Sequence, residues 1–392
     1  MSGRSLQRSG MLIVVGTRPE AIKLAPLIIA LRERAVLDVT VCATGQHREL
    51  LDGALADFGL IADIDLGLMQ PGQRPEAVVA AALPALTAVI ASTGPAAVIV
   101  QGDTASACAG AQAGAYAQLP VVHVKAGVRS GSTEPFPEEL HRRVIGQLAT
   151  LHFAPTAAAR AALRGEGVAD AAIKLSGNTG IDALRLTAAR LAADPELHRL
   201  AAAQLPATNP ALPLLLVTVH RRENRGARLL AVAAALHRLA ATGGVEIVIP
   251  VHPHPTVRDT LTNHLGGIPG IHLIPPLSYL AFVVLLQRAR LALTDSGGVQ
   301  EEAPALGCPV LVLRGTTERR EGIAAGGAQL VGTNADTIVA AVGCLLDDAG
   351  HHAAMATPRF PYGDGYPAGR IASILEFRFA SAALGTEIAQ AL

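Results

Sequence analysis

The stretch LALTDSGGVQEEAPALGCPVLVLR, residues 291–314, decides the fold class. It opens on an apolar run and breaks at Ser296, Gly297 and Gly298. It then continues through helix-compatible sequence and closes on a second apolar run, CPVLVLR (308–314). Run, bare-backbone turn, helix and run make one strand–helix–strand unit. Neither run alternates with polar residues, so each strand is expected to be buried on both faces, as in a parallel sheet.

The same grammar extends outward in both directions. Towards the N-terminus lie IHLIPP (271–276), GVEIVIPVH (244–252) and LPLLLVTVH (212–220). Earlier still come LHFAPT (151–156), PVVHV (120–124), AAVIVQG (96–102), LDVTVCAT (37–44) and MLIVVG (11–16). Alanine-rich helical stretches separate them. The pattern predicts an α/β protein built as two Rossmann-like domains, each a doubly wound parallel sheet of roughly five to seven strands. The boundary is placed just after GNTGIDAL, in the interval 177–185. That gives an N-terminal extension at 1–10, a first domain at 11–178 and a second at 179–370. A C-terminal helix at 371–392 is expected to pack back on the first domain.

Bulk properties exclude several classes. With 32 Lys plus Arg against 32 Asp plus Glu, the chain carries no basic excess for nucleic acid. It is 50% hydrophobic, which excludes general disorder. Cys42, Cys108, Cys308 and Cys344 are far apart and form no CxxC, so a reducing, cytoplasmic setting is expected. The opening MSGRSLQRSG lacks the apolar core of a signal peptide. Pro, Gly or charge interrupts the apolar runs below membrane-spanning length, so no membrane partner is expected. No GxGxxG follows a strand, so no nicotinamide cofactor is signalled.

In open parallel sheets ligands bind beyond the carboxyl ends of strands, so the residues ending each run carry most of the chemistry. GTRPEAIKLAPL (16–27) sets Thr17 and Glu20 at capping-box spacing with Pro19 in the first turn. Arg18 and Lys23 beside that helix start suit a phosphate or carboxylate; the alternative is an ordinary capped helix with solvated charges. Ser296, Gly297 and Gly298 bring bare backbone towards a ligand, and Glu301 and Glu302 follow in the first helical turn. Such a carboxylate suits a hydroxyl pair such as a ribose. His220, with Arg221 and Arg222, reads as a phosphate or base contact. His252 and His254 have no third ligand at metal spacing, so no metal is expected. In FPEELHRRVIGQL (136–148) Glu138 and Arg142 share a helix face, as a surface ion pair or as a carboxylate held by arginine in a cleft. Asp103, in QGDT (101–104), is a candidate base at a strand end.

Together these segments resemble the non-hydrolysing UDP-N-acetylglucosamine 2-epimerases. The matching stretches are GTRPEAIKLAPL, TGQHREL, QGDT, AGVRSG, FPEELHRR, GNTGIDAL, VHRREN, PVHPHP, TDSGGVQEEAPALGCPVLVLR, TTER and PYGDG, in order across nearly the whole chain. The resemblance implies two Rossmann-like domains facing a central cleft, as in GT-B glycosyltransferases, and a homodimer. It implies UDP-N-acetylglucosamine and UDP as ligands, with no cofactor and no metal. The reaction is epimerisation at sugar C2, by elimination of UDP to 2-acetamidoglucal and re-addition. By resemblance Arg18, His220, Ser296, Gly297, Gly298 and Glu302 hold UDP, with Phe282 beside the base. Arg142 and Arg319 lie close to phosphate and sugar, and Lys23 lines the cleft. Asp103 and Glu138 correspond to two of three carboxylates linked to proton transfer. Gln46 and His47 correspond to part of a second, regulatory UDP-N-acetylglucosamine site.

The third carboxylate belongs to a stretch the family writes HVEAG. Here it is HVKAGVRS (123–130), and Lys125 stands at the glutamate position. Only three lysines occur in the chain: Lys23, Lys125 and Lys174. TTERPE has become TTERREG, with Arg320 in place of proline. Three readings remain. Lys125 is the acid/base or a diphosphate clamp of a working epimerase; or the reaction has shifted to hydrolysis, release of UDP or another nucleotide sugar; or the protein binds UDP-sugar as a regulator. A GT-B glycosyltransferase is the competitor from another class.

Overall fold

A computed structural model describes residues 9–45, 48–68, 70 and 72–391. It separates into two compact units. The first runs to Ala183 and resumes at Gly363; the second is Leu184–Tyr362. The sequence-based boundaries differ at the far end. The last helix is Pro367–Ala391 rather than 371–392, and it belongs with its approach segment to the first unit. It is fastened there at the first helix, Arg18–Arg34, where Arg34 donates to Ser373 Oγ (2.7 Å), Glu376 Oε2 (3.0 Å) and the Gly369 carbonyl (3.1 Å).

In the first unit seven parallel strands stand in the order β3-β2-β1-β4-β5-β6-β7. They are β1 (Gly10–Val15), β2 (Asp38–Ala43), β3 (Ile64–Asp65), β4 (Ala97–Gln101), β5 (Val121–Val124), β6 (Leu151–Ala154) and β7 (Ile173–Leu175). The second unit holds six, in the order β10-β9-β8-β11-β12-β13. These are β8 (Leu214–Thr218), β9 (Glu246–Pro250), β10 (Ile271–Ile274), β11 (Leu291–Thr294), β12 (Val310–Val312) and β13 (Ala328–Leu330). All ten expected strands form. The three added ones, β3, β7 and β13, are all sheet edges.

The central strands are buried throughout, as their continuous apolar runs require: β4, β5 and β11 have no exposed residue. Leu12, Val14, Val98 and Val100 pack against Ala107, Cys108 and Ala111 of the Ala105–Tyr116 helix, and Leu86 and Ile90 of the Pro75–Thr93 helix join the same cluster. Each such aliphatic side chain contributes about 1.5–3 kcal/mol by leaving water. One sequence expectation fails here. Pro84 does not interrupt the Pro75–Thr93 helix, which is long and apolar enough by length and composition to cross a membrane. Its Val78, Ala82, Leu86, Val89 and Ile90 are instead buried in this core.

Each sheet reverses its strand order once, between β1 and β4 and between β8 and β11. Chains leaving two neighbouring strands to opposite sides open a crevice at their carboxyl ends. Arg18 and Asp103 follow β1 and β4; His220 and Ser296 follow β8 and β11.

Candidate active site

Residues of the first unit are organised by buried hydrogen bonds at the ends of β1, β4 and β5. Glu20 closes the capping box: its Oε2 accepts from Gly16 N (3.0 Å), Thr17 N (2.7 Å) and Thr17 Oγ1 (2.9 Å). Its Oε1 accepts from Thr104 Oγ1 at 2.6 Å. Every partner donates, which suits the carboxylate. Burial opposes that charge and pushes the Glu20 pKa up to about 7. The sequence showed the cap but not the bond to Thr104.

Asp103 sits on a short loop held from three sides. Gly102 N donates to the Val124 carbonyl (3.0 Å), and His123 Nε2 donates to the Gly102 carbonyl (2.8 Å). His141 Nδ1 donates to the Asp103 carbonyl (3.0 Å). Burial pulls His123 down to about pH 3, so its ring is neutral and Nδ1 carries the lone pair. The Asp103 carboxylate itself faces Arg142, with Nε and Nη2 at 2.6 and 2.5 Å from Oδ2.

That arrangement corrects the expected Glu138–Arg142 pair. Arg142 turns instead to Glu139 Oε2 (3.0 Å) and to Asp103. Glu139 is 1% exposed, so the helix Glu138–Leu148 buries this carboxylate and offers Glu138 elsewhere. Glu138 keeps a buried Oε2 with no hydrogen-bond partner among the described residues. Lys23 is 8% exposed, and its ammonium makes no hydrogen bond or ion pair among the described residues. Lys125 follows β5 with φ +62°, in the left-handed region. A residue with a Cβ pays about 1 kcal/mol there, and such strain concentrates at functional positions. Arg18 is half-exposed at the end of β1.

In the second unit the centre is Asp295, fully buried after β11. It accepts from His220 N (3.0 Å), Arg221 N (2.9 Å) and Asn224 Nδ2 (2.9 Å). His220 Nδ1 stands 3.1 Å from its Oδ1 and donates to it, which leaves Nε2 for a ligand. Desolvation pulls His220 below its ordinary pKa; Asp295 opposes this, while Arg221 and Arg314 add to it. His252 stacks on His220 with ring centroids 5.9 Å apart, and burial, His220 and His254 bring it down to about 4.

Around Glu318 the unit gathers charge that the sequence gave no hint of. Arg319 Nη1 and Arg314 Nη1 (2.8 Å) bond its two oxygens, and Arg221 Nη2 stands 3.6 Å away. Arg319 is also held by Glu301 (3.1 Å), and Arg314 by Glu223 (2.6 Å). Burial alone would raise Glu318; Arg319, Arg221 and Arg314 outweigh it and hold the carboxyl far below its usual range. Arg314 and Arg319 lie within four residues of Glu318, but Arg221, Glu223 and Glu301 come from other strand ends, so their share of the hub leaves no local sequence signal.

The two glycines of the TDSGG turn prove unlike. A Cβ on Gly297 would lie 2.6 Å from the Arg319 guanidinium, so that glycine makes room for the arginine side chain. A Cβ on Gly298 would stand 3.8 Å from Glu302 Oε1 and Ser296 Oγ, in ordinary contact. Glu302 is buried and accepts from the Tyr279 hydroxyl (3.3 Å), and Phe282 is half-buried on the same Tyr279–Arg288 helix. Among the described residues no cluster of three His, Cys, Asp or Glu is arranged for a metal. Gln46 and His47 lie outside the described residues.

The family described as UDP-N-acetylglucosamine 2-epimerase matches residues 29–376. The UDP-N-acetylglucosamine 2-epimerase of Escherichia coli K12 is 44% identical over 368 residues, covering 93% of this chain and 98% of that protein. The solved UDP-GlcNAc 2-epimerase from Neisseria meningitidis, bound to UDP-GlcNAc, superposes with a TM-score of 0.90 at 38% identity. It covers 93% of this chain and 99% of that one. The Methanocaldococcus jannaschii UDP-GlcNAc 2-epimerase, in complex with UDP-GlcNAc and UDP, gives 0.83 at 30% identity, with 94% and 99% covered. With residues 29–376 matched, and relatives of this identity aligned almost end to end, the chain belongs to the UDP-N-acetylglucosamine 2-epimerase family.

Proposed function

We propose that the protein interconverts UDP-N-acetylglucosamine and UDP-N-acetylmannosamine, with labour divided between the units. The second unit holds UDP: Ser296, Gly298 and Arg319 face the diphosphate, Glu302 the ribose and Phe282 the uracil. Asp295 already takes Nδ1–H, so His220 meets the diphosphate through Nε2–H as the imidazolium, the ligand's negative charge favouring the second proton. The first unit handles the sugar. A base removes the C2 proton as the bond from C1 to the UDP oxygen breaks, which leaves 2-acetamidoglucal. An acid then protonates the other face of C2 while UDP re-adds at C1. Asp103, Glu138 and Lys125 are the proton-transfer groups. Arg18 and Lys23 offset the charge of the departing diphosphate, and Arg142 orients Asp103.

One observation carries this reading. Both in the first unit, Glu138 has a buried carboxylate oxygen and Lys23, a residue 8% exposed, an ammonium, each without a hydrogen bond among the described residues. Unsatisfied buried polar groups are costly, so they point to a ligand carrying both an anion and a proton donor. The reading also includes a homodimer, supported by the apolar Pro75–Thr93 helix, of which only 28% is buried. A cytoplasmic setting is supported by four free cysteines, three of them buried.

Proton NMR with UDP-N-acetylglucosamine alone in D₂O tests the reaction. The expected product is UDP-N-acetylmannosamine carrying deuterium at C2. Accumulation of free N-acetylmannosamine, or of 2-acetamidoglucal plus UDP, would instead assign a hydrolysing or releasing reaction. Lys125→Ala should lower kcat at least ~10-fold, in the range for loss of an acid/base group. Unchanged turnover would remove Lys125 from the chemistry. Lys125→Glu restores the family's carboxylate and should remain active.

A further inference from the structure

Glu20 contributes to none of the steps above, yet it is 1% exposed and both its oxygens are engaged. The two oxygens serve different segments. Oε2 takes three donors from the turn after β1, which carries Arg18. Oε1 takes Thr104 Oγ1 from the loop after β4, which carries Asp103. Thr104 is itself the cap of the Ala105–Tyr116 helix, its Oγ1 accepting from Ala107 N at 3.0 Å. β1 and β4 are neighbours at the point where the strand order reverses. One buried carboxylate therefore bridges the two segments on either side of that point, 84 residues apart in sequence.

We propose that Glu20 is a positioning residue that locks the Arg18 turn to the Asp103 loop, so that the diphosphate contact and the proton-transfer carboxylate keep a fixed spacing. The inference rests on the roles given above to Arg18 and Asp103. A capping glutamate needs only its bonds to the first turn; the reach of Oε1 to Thr104 adds nothing to the cap and serves only the bridge. Charge-assisted bonds to a carboxylate are about twice as strong as neutral ones, so the bridge is stiff while Glu20 is ionised.

Amide hydrogen exchange tests the lock without requiring turnover. In Glu20→Gln the amide nitrogen turns to Thr104 Oγ1, and the turn donors are left with one neutral oxygen. Exchange should quicken at least ~3-fold in both 16–18 and 103–107, while β1 and β4 keep their protection. Thr104→Val removes both the bridging bond and the cap on Ala107 N, and should quicken 103–107 while leaving 16–18 alone, so kcat rather than exchange in 103–107 reports the bridge; Thr104→Ser keeps both and should behave as wild type. Kinetically, Thr104→Val should lower kcat about 10-fold with KM and UDP affinity within ~2-fold, and Thr104→Ser should restore kcat. Quickening in neither segment for Glu20→Gln, or wild-type kcat for Thr104→Val, overturns the lock. If the wild-type protein gives no deuterated epimer, the epimerase reading fails by itself, and the exchange pattern still decides the lock.

Discussion

In the second unit Arg221, Arg314 and Arg319 are set against Glu223, Glu301 and Glu318, three cations facing three carboxylates. In the first, Lys23 and one oxygen of Glu138 are left without a hydrogen bond among the described residues. Under the division of labour proposed above, the contrast follows the chemistry asked of each. A diphosphate is bound best by guanidiniums already fixed in place, since preorganisation removes the cost of ordering them on binding. Proton transfer needs groups whose charge and contacts can change within a turnover, and a fully satisfied network would hold them fast. The first unit compensates by fixing the loops rather than the reacting atoms, through Glu20, His123 and His141.

If the second unit is the rigid half, breaking its centre should cost most. Asp295→Asn puts an amide where two donors point and should destabilise the protein by about 4 kcal/mol, read as a lower urea midpoint with an unchanged slope. A loss below ~1 kcal/mol would show that the network does not preorganise the site. Arg142→Ala leaves the buried Glu139 with only Arg143 at 3.9 Å and the Ser130 N–H, and about 3 kcal/mol is expected, with kcat reduced far more than UDP affinity. Gly297→Ala forces a clash with an arginine that Glu301 and Glu318 pin, and should cost about 2 kcal/mol. Gly298→Ala should stay within ~0.5 kcal/mol of wild type and weaken UDP binding instead, as calorimetry would show. Equal losses in the two glycine variants would erase the distinction between them.

Smaller effects sharpen the picture of the first unit. His123 binds a proton near pH 3 when folded, against 6.5 otherwise. The unfolded state therefore holds more protons between these values. The His123 contribution is complete above pH 6.5 and is lost as pH falls towards 3, at up to about 1.4 kcal/mol per pH unit. Glu20 has the opposite sign: its folded value of about 7 exceeds the ordinary 4.5, so its contribution is complete below 4.5 and lost as pH rises through 7. The two oppose each other between 4.5 and 6.5. Glu20→Gln should therefore expose a steeper loss of stability on acidification, measured by urea titration at several pH values; an unchanged profile would remove Glu20 from the balance. Lys125→Gly, which relieves the left-handed backbone, should hold stability within about 1 kcal/mol while removing the amine from the reaction. That variant separates backbone strain from side-chain chemistry.

The strands that escaped the sequence are instructive. β3, β7 and β13 are two or three residues long, and each contains an exposed position. An edge strand has a partner on one side only and no need to bury both faces, so no continuous apolar run announces it. Strand-end residues such as Arg18, Asp103, His220 and Ser296 were legible because they follow a buried run within a few positions. The pairing of Arg142 was not. Helical spacing favours Glu138, but the geometry selects Glu139, three residues before Arg142, together with Asp103, 39 residues before it.

By itself the sequence determined the alternation of parallel strands and helices, the residues that end each strand, and the family to which their order belongs. Those depend on local burial patterns and on residue types that only a few conformations tolerate. Tertiary structure decided which charges meet. It set Arg319 against Gly297, brought Arg221 to the Glu318 carboxylate, and gave one buried glutamate to two distant segments. An ion pair or hydrogen bond is fixed by distance in space, and residues brought together at a sheet's reversal point are separated along the chain by whole strands and helices.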